Sequence, residues 1–346
     1  MELIQQLSQE LKLRPAQVEA AVRLLDEGNT IPFIARYRKE MTDSLDDAAL
    51  RGLSDRLEYL RNLQKRREEV IRSITEQEKL TPELETAIQA AATLAEVEDL
   101  YRPYKPKRRT RGSIAREKGL EPLAAAIRVQ NTLREPLSMA AEYVNPEKGV
   151  ETAEDALSGA MDIIAEDISD DGEIRKALRL LIHRAAVVTA TGDSTENTTY
   201  KMYYDFKEPV GRIAPHRVLA INRGEKEGFL KTAIVLEEEK ALEAIRRKTV
   251  IANNACGRAV MEAAADSWKR LIAPSMENET FRELFENASE QAIRVFAENL
   301  HHLLMQPPLT GQVVLGWDPG YRNGCKLAVV DSTGKVLDTV VIYPTA

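Results

Sequence analysis

The sequence changes character sharply at Pro307-Pro308. Upstream, apolar residues recur at helical spacing. Downstream, QVVLGWDPGYRNGCKLAVVDSTGKVLDTVVIYP sets β-branched runs between Gly-containing turns. Adjacent prolines lack the N–H groups that a continuing helix needs, so the helical series must stop there. The remainder reads as three β-strands, with STGK as the hairpin turn between the last two. A meander with an uncovered edge is a poor place for a domain to end. The chain is therefore expected to be a fragment of a longer protein.

The helices can be placed from their start signals. Pro15 suits a first helical position; Val18, Val22 and Leu25 form the apolar stripe, and Gly28-Asn29 ends it. Pro32 opens a second short helix whose Ile34, Tyr37 and Met41 share a face, predicted to be core, with Arg36, Arg38 and Lys39 pointing elsewhere. Ser44 and Asp47 have capping-box spacing ahead of a long helix with Leu50, Leu53, Leu57 and Leu60 as its buried stripe. Thr81-Pro82-Glu83 starts another helix with a cap, a first-turn proline and an acid at the positive end of the dipole. TAEDALSGAMDIIAEDIS is helical with Leu157, Met161, Ile164 and Ile168 on its apolar side. Asp170 or Asp171 then caps a helix expected to run to Ala190. The polar stretch TGDSTENTTY marks a boundary. Beyond it a single strand is expected at Phe229–Val235, then more helices. The fold class is thus mainly α, an elongated multi-helix scaffold followed by a β-meander. The segments are 1–190 (helical, with helix-turn-helix-like units and hairpins), 191–308 (helical with one short strand) and 312–346.

Composition excludes several classes. The longest apolar runs, such as Ala185 to Ala190, are far too short to span a bilayer, and the charged N-terminus has no signal-peptide core. Cys256 and Cys325 cannot make a zinc site alone or a disulfide framework, and read as reduced cytoplasmic thiols. Neighbouring His301 and His302 would project about 100° apart on a helix and could not clamp one metal. Lys335 lacks a preceding glycine-rich phosphate loop, and no cofactor is expected.

The formal net charge is −7. Against that background YRPYKPKRRTRG, residues 101–112, holds six Lys or Arg, two Tyr and two Pro. One reading is a nucleic-acid surface: Arg102, Lys105, Lys107, Arg108, Arg109 and Arg111 would track phosphates while Tyr101 and Tyr104 offer stacking faces. The other is internal neutralisation, because residues 80–101 and 149–174 are rich in acids and contain no Lys or Arg. Composition supports both. Arg36, Arg38 and Lys39 could extend the same surface, or be the solvated side of an amphipathic helix.

Several longer strings carry a resemblance: IPFIARYRKE with LDD (31–47), YKPKRRTRGSIAREKGLEPLA (104–124), PHRVLAINRGEKEG (215–228), KRLIAPS (269–275), AIRVFAENL (292–300) and LGWDPGYRNGCKLAVVD (315–331). Together they resemble the bacterial Tex family. The resemblance implies a cytoplasmic transcription accessory protein with a helical scaffold and a YqgF domain of RNase H-like fold, of which 312–346 would be only the first three strands. Helix-hairpin-helix modules and an RNA-binding OB fold would follow and have no counterpart in this chain. It also implies RNA or DNA as ligand, bound weakly by this portion alone, and RNA polymerase or another transcription factor as partner; it leaves the oligomeric state open. The phosphate-gripping reading of the strip gains from it. Asp318 matches the first-strand aspartate that helps bind Mg²⁺ in RNase H-like nucleases, but such chemistry needs several convergent carboxylates. Asp331 and Asp338 are not obviously placed to join it. The expected function is therefore a scaffold that is not an enzyme, with a YqgF-type nuclease using Asp318, or a protein-interaction scaffold, as the alternatives.

Overall fold

In a computed structural model the described residues are 2–105, 109–193, 198–307, 309–320 and 323–344. The helices are α1 (Glu2–Leu11), α2 (Pro15–Asp26), α3 (Ile31–Tyr37), α4 (Asp47–Thr75), α5 (Pro82–Ala90), α6 (Leu94–Tyr101), α7 (Arg111–Glu117), α8 (Glu121–Val129), α9 (Pro136–Ala140), α10 (Ala153–Asp170), α11 (Gly172–Ala185), α12 (Pro215–Lys226), α13 (Glu238–Thr249), α14 (Ala255–Asp266) and α15 (Ala273–Leu304). A π-helical turn, Ser267–Ile272, separates the last two. Two three-stranded sheets complete the fold, ordered β2-β1-β3 and β4-β5-β6. Their strands are β1 (Val187–Gly192), β2 (Asp205–Pro209), β3 (Leu230–Val235), β4 (Val314–Asp318), β5 (Cys325–Val330) and β6 (Val336–Ile342). The chain divides into two compact units, one of residues 1–190, 205–212 and 232–280, the other of 191–204, 213–231 and 281–346.

The first unit is organised by two long helices. On α4 the leucine stripe is continuous but serves two cores. Leu50, Leu53, Leu57 and Leu60 pack with Leu7, Val18, Leu24 and Ile34. One turn further on, Leu63, Val70 and Ile74 pack with Ile88, Val97 and Tyr101. The polar face of α4 adds clips: Arg56 donates to Glu10 at 2.5 Å, Arg61 is bidentate to Asp26 at 2.7 and 2.8 Å, and Arg66 donates to Glu98 at 2.6 Å. The N-cap of α4 is Asp46, whose carboxylate accepts from Ala49 N at 2.7 Å; Ser44, expected in that role, sits in the preceding turn with φ +65°.

The second organiser is α10. Ala156, Ala160, Ile163, Ile164, Ala165 and Ile168 are buried along it, against α7, α8, α9, α14 and the π-turn. Ser267 opens the π-turn by donating to the Ala165 carbonyl at 2.7 Å. Four α10 carboxylates meet arginines from four different segments. Asp162 pairs with Arg270 at 3.0 Å, and Glu166 with Arg116 at 3.1 Å. Asp167 pairs with Arg116 and Arg128, each at 2.6 Å, and Asp170 with Arg102 at 3.5 Å. Glu166, only 4% exposed, also accepts from the Gly112 N–H. A Cβ at Gly112 would lie 2.5 Å from the Glu166 carboxyl, so only glycine lets α7 approach this closely.

A second charged cluster joins α6, α11 and α15. Arg175 is 1% exposed; its Nη2 donates to Glu279 at 2.8 Å and its Nε lies 3.4 Å from Asp99. Arg179 donates to Glu279 at 2.7 Å and to Asp99 at 3.1 Å. Burial pushes the Asp99 carboxyl above the ordinary aspartate range even with Arg179 beside it, so the cluster stands on close pairing against a desolvation cost. Asp171 caps α11 by accepting from Glu173 N and Ile174 N.

The first sheet corrects the expectation of one strand in this region. Helix α11 stops at Ala185, and VVTATG forms β1 with Val188 and Ala190 buried. Four β-branched residues in that run, Val187, Val188, Thr189 and Thr191, favour the strand over another helical turn. On β3 the Ile234 N–H is taken by Glu277 of α15 at 2.9 Å. The second sheet is the expected meander, antiparallel throughout, with Val314 opposite Val330 and Cys325 opposite Ile342. Its hairpin is fastened by Asp331, whose Oδ1 accepts from Thr333 N, Thr333 Oγ1 and Lys335 N at 2.7–3.0 Å. Leu315, Trp317, Leu337 and Val340 on this sheet, and Tyr343 just past its last strand, are all more than half exposed.

Two glycines should respond oppositely to alanine. Gly112→Ala must displace the buried Glu166 and should destabilise the first unit by about 2–3 kcal/mol in urea unfolding. Gly52, in the interior of α4, has nothing within 4 Å of an added Cβ, and Gly52→Ala should stabilise by about 0.5–1 kcal/mol. Arg175→Leu strips compensation from Asp99 and Glu279 and should cost about 3–5 kcal/mol in the same assay.

Candidate nucleic-acid interface

The short helix α3 and the turn after it place three cations at the surface. Ile34 is its one fully buried side chain. The turn that follows is held from beneath: buried Thr42 donates to the Lys39 carbonyl at 3.3 Å, the Ser44 N–H donates to the Lys39 carbonyl at 2.8 Å, and Gln17 donates to the Asp43 carbonyl at 3.1 Å. Arg36, Arg38 and Lys39 are exposed, and none of them is ion-paired among the described residues. The aspartates that follow are occupied elsewhere: Asp43 is paired with Arg14, Asp46 caps α4, and Asp47 pairs with Arg51 at 2.6 Å. Cations suit the C-terminal end of a helix, and three of them against the one exposed carboxylate of Glu40 leave a local excess of positive charge on an acidic chain.

The aromatic neighbours of these cations are the main departure from expectation. Tyr37 and Met41, read from the sequence as core, are 67% and 45% exposed. A helix that stops at Tyr37 cannot carry the predicted face onward to Met41. Phe33 lies with its ring centroid 5.4 Å from that of Tyr37, and the Arg38 guanidinium sits 5.3 Å over the Phe33 ring.

The strip at 101–112 divides by environment. Tyr101 is buried, its hydroxyl 3.0 Å from Ser73 Oγ and its ring beneath Arg66. Tyr104 is half-buried against the second α4 core, and its carbonyl accepts from Gln77. Neither ring lies open for stacking. Arg102 turns inward to Asp170, with Nη2 3.3 Å from Ser275 Oγ; burial and the nearby Arg175 push its pKa down. Lys105 is exposed, 3.9 Å from Glu98, and Arg109 is exposed and paired with Glu117 at 3.1 Å. Arg111 is exposed at the start of α7; burial pushes the nearby Asp162 carboxyl up, with Arg270 and then Arg111 opposing that push. Lys107 and Arg108 lie outside the described residues. Both sequence readings of the strip thus find residues that fit them: Arg102 serves the protein's own carboxylates, while Lys105, Arg109 and Arg111 stay at the surface.

Sequence reasoning missed Arg116, Arg128, Arg175, Arg179 and Arg270 as the partners of the acidic stretches. Their only signal was helical position, which does not reveal a partner 39 to 108 residues away. Asp318 ends β4 opposite Lys326 and is exposed. Among the described residues, no group of three or more His, Cys, Asp or Glu side chains could hold a metal ion. No helix among them is long and apolar enough to cross a membrane.

Residues 1–75 match the Tex-like protein N-terminal domain, 131–296 the Tex central region, and 312–346 the Tex protein YqgF-like domain. The chain is 48% identical to the uncharacterized protein YdcI of Bacillus subtilis and 44% identical to Protein tex of Bordetella pertussis. It is 40% identical to the transcriptional accessory protein Tex of Neisseria gonorrhoeae. Each alignment covers 99% of this chain and 48%, 45% and 46% of the respective relative, so the chain spans just under half their length. With all three Tex models matched in order along it, the chain belongs to the Tex family.

Proposed function

We propose that this chain is a non-catalytic scaffold of the transcription apparatus that contacts nucleic acid through the α3 surface, with Lys105, Arg109 and Arg111 as a second set of phosphate contacts. The observation that carries the reading is that Arg36, Arg38 and Lys39 have no ion-pair partner among the described residues and outnumber the one exposed carboxylate beside them, Glu40, while the neighbouring aspartates are each engaged. Phosphate binding draws on such cations and is sequence-independent. A relative named for a transcription accessory role supports the setting. Docking on polymerase or another factor through acid-rich helices is less favoured, because Glu96, Glu98, Asp99, Asp162, Glu166, Asp167 and Asp170 are already paired internally.

The nuclease alternative has little support in the meander. Asp331 is committed to its own turn and Asp338 accepts from the adjacent Thr339 N–H, leaving Asp318 as a lone carboxylate. One carboxylate fixes Mg²⁺ poorly, because the ion keeps most of its water, and the attacking and leaving oxygens stay unoriented.

Two measurements test this reading. In fluorescence anisotropy with labelled oligonucleotides, affinity should fall with salt. Replacing Arg36, Arg38 and Lys39 together by Ala should flatten the log–log slope for single strands by about 2, at roughly 0.7 per phosphate contact. An unchanged slope would remove α3 from the interface. Incubation of branched, duplex and single-stranded substrates with Mg²⁺ or Mn²⁺ should give no cleavage; cleavage abolished by Asp318→Asn would establish the nuclease reading instead.

A further inference from the structure

The cations of α3 account for phosphate but not for the rings among them. Tyr37 is 67% exposed, and its hydroxyl has no partner among the described residues. The fold does not require it, since Ile34, with Ile31 and Ala35 packed beside it, anchors α3 to the core and Thr42 anchors the turn. Phe33 is half-buried beside it, with the Arg38 guanidinium resting on its ring. The two aromatic planes meet at 45°, so they cannot both face one flat ligand: Phe33 with Arg38 makes a floor, and Tyr37 stands from it with ring surface open to solvent. Arg36 and Lys39 flank that ring in sequence, and the turn carrying Lys39 is fixed by hydrogen bonds from Thr42 and Ser44. An aromatic face held between unpaired cations is the arrangement that stacks a base while phosphates on either side are neutralised.

We infer that α3 and its turn form a single-strand-selective site in which Tyr37 stacks on an unpaired base while Arg36 and Lys39 hold the adjacent phosphates. This rests on the nucleic-acid reading above and deepens it. In a duplex both faces of each base are covered by neighbours, so an aromatic side chain finds no face to stack on, whereas in a single strand the faces are open. Stacking requires no base-edge hydrogen bonds, so the site accepts any base. The site reads strandedness.

The test uses the 346-residue chain with four probes of equal length: single-stranded RNA, single-stranded DNA, the duplex, and an abasic single strand. Tyr37→Ala should weaken binding to both base-bearing single strands by about 5-fold to 100-fold, leave duplex and abasic strands unchanged, and be restored by Tyr37→Trp. Unaltered circular dichroism checks that α3 has kept its place. Loss on only the RNA or only the DNA strand would support stacking and identify the natural ligand. If Arg36→Ala with Lys39→Ala weakens every probe while Tyr37→Ala changes none, the phosphate interface stands and stacking is overturned. If neither variant affects any probe, both readings fall. Capture of an acidic peptide that depends on Tyr37, with nucleic-acid binding untouched, would make the site a protein contact and overturn the inference.

Discussion

A chain with net negative charge can pack acid-bearing helices inside only if each carboxylate meets its cation, and α10 is where that condition is most demanding. Its apolar face is wrapped by α7, α8, α9, α14 and the π-turn, with α11 and the turn after α6 also against it, so Asp162, Glu166, Asp167 and Asp170 emerge at the seams between neighbours. Each seam is closed by an arginine from the element that forms it: Arg270 from the π-turn, Arg116 from α7, Arg128 from α8 and Arg102 from the end of α6. Exposed pairs of this kind contribute little individually. Half-buried ones act more as address labels, since a helix docked in the wrong seam would strand a carboxylate without a partner. The glycine that lets α7 close on Glu166 belongs to the same solution.

That condition also sorts the arginines by use. Density along the sequence says how many cations are present, not how many remain after internal acids have taken theirs. In the 101–112 strip Arg102 is taken inward and Lys105 and Arg109 lie beside surface acids, whereas at α3 none of the three cations is ion-paired among the described residues. The less conspicuous cluster thus keeps its charge for a ligand, because Asp43, Asp46 and Asp47 are consumed by a salt bridge, a helix cap and an i,i+4 pair.

Much of the fold was legible because its signals are local. Thr81 caps α5, Pro15 and Pro32 open their helices, and Leu50 to Leu60 are buried as a stripe. The three strands after Pro307 lie where β-branched alternation puts them. What failed depended on distance. Val187–Gly192 follows a helix without a Gly or Pro between, and a short apolar run of that kind reads equally as helix or strand; the partners that decide it, β2 and β3, lie further along the chain. Met41 lies beyond the end of α3 and so cannot share its face, while Tyr37, inside the last turn at i,i+3 from Ile34, is exposed although the same periodicity reads it as core. The inward turn of Arg102 depends on Asp170 and Ser275, neither of which any local pattern could pair with it.

The cluster of Arg175, Arg179, Asp99 and Glu279 has a thermal consequence. Hydration of charged groups becomes less favourable as temperature rises, so the penalty for keeping these four groups out of water shrinks on heating, while stabilisation from apolar burial levels off. The junction of α6, α11 and α15 therefore rests on contacts whose relative weight grows with temperature, in contrast to the leucine-lined cores along α4. Warming should loosen the α4 cores ahead of this junction, which sets an order of melting within a single compact unit.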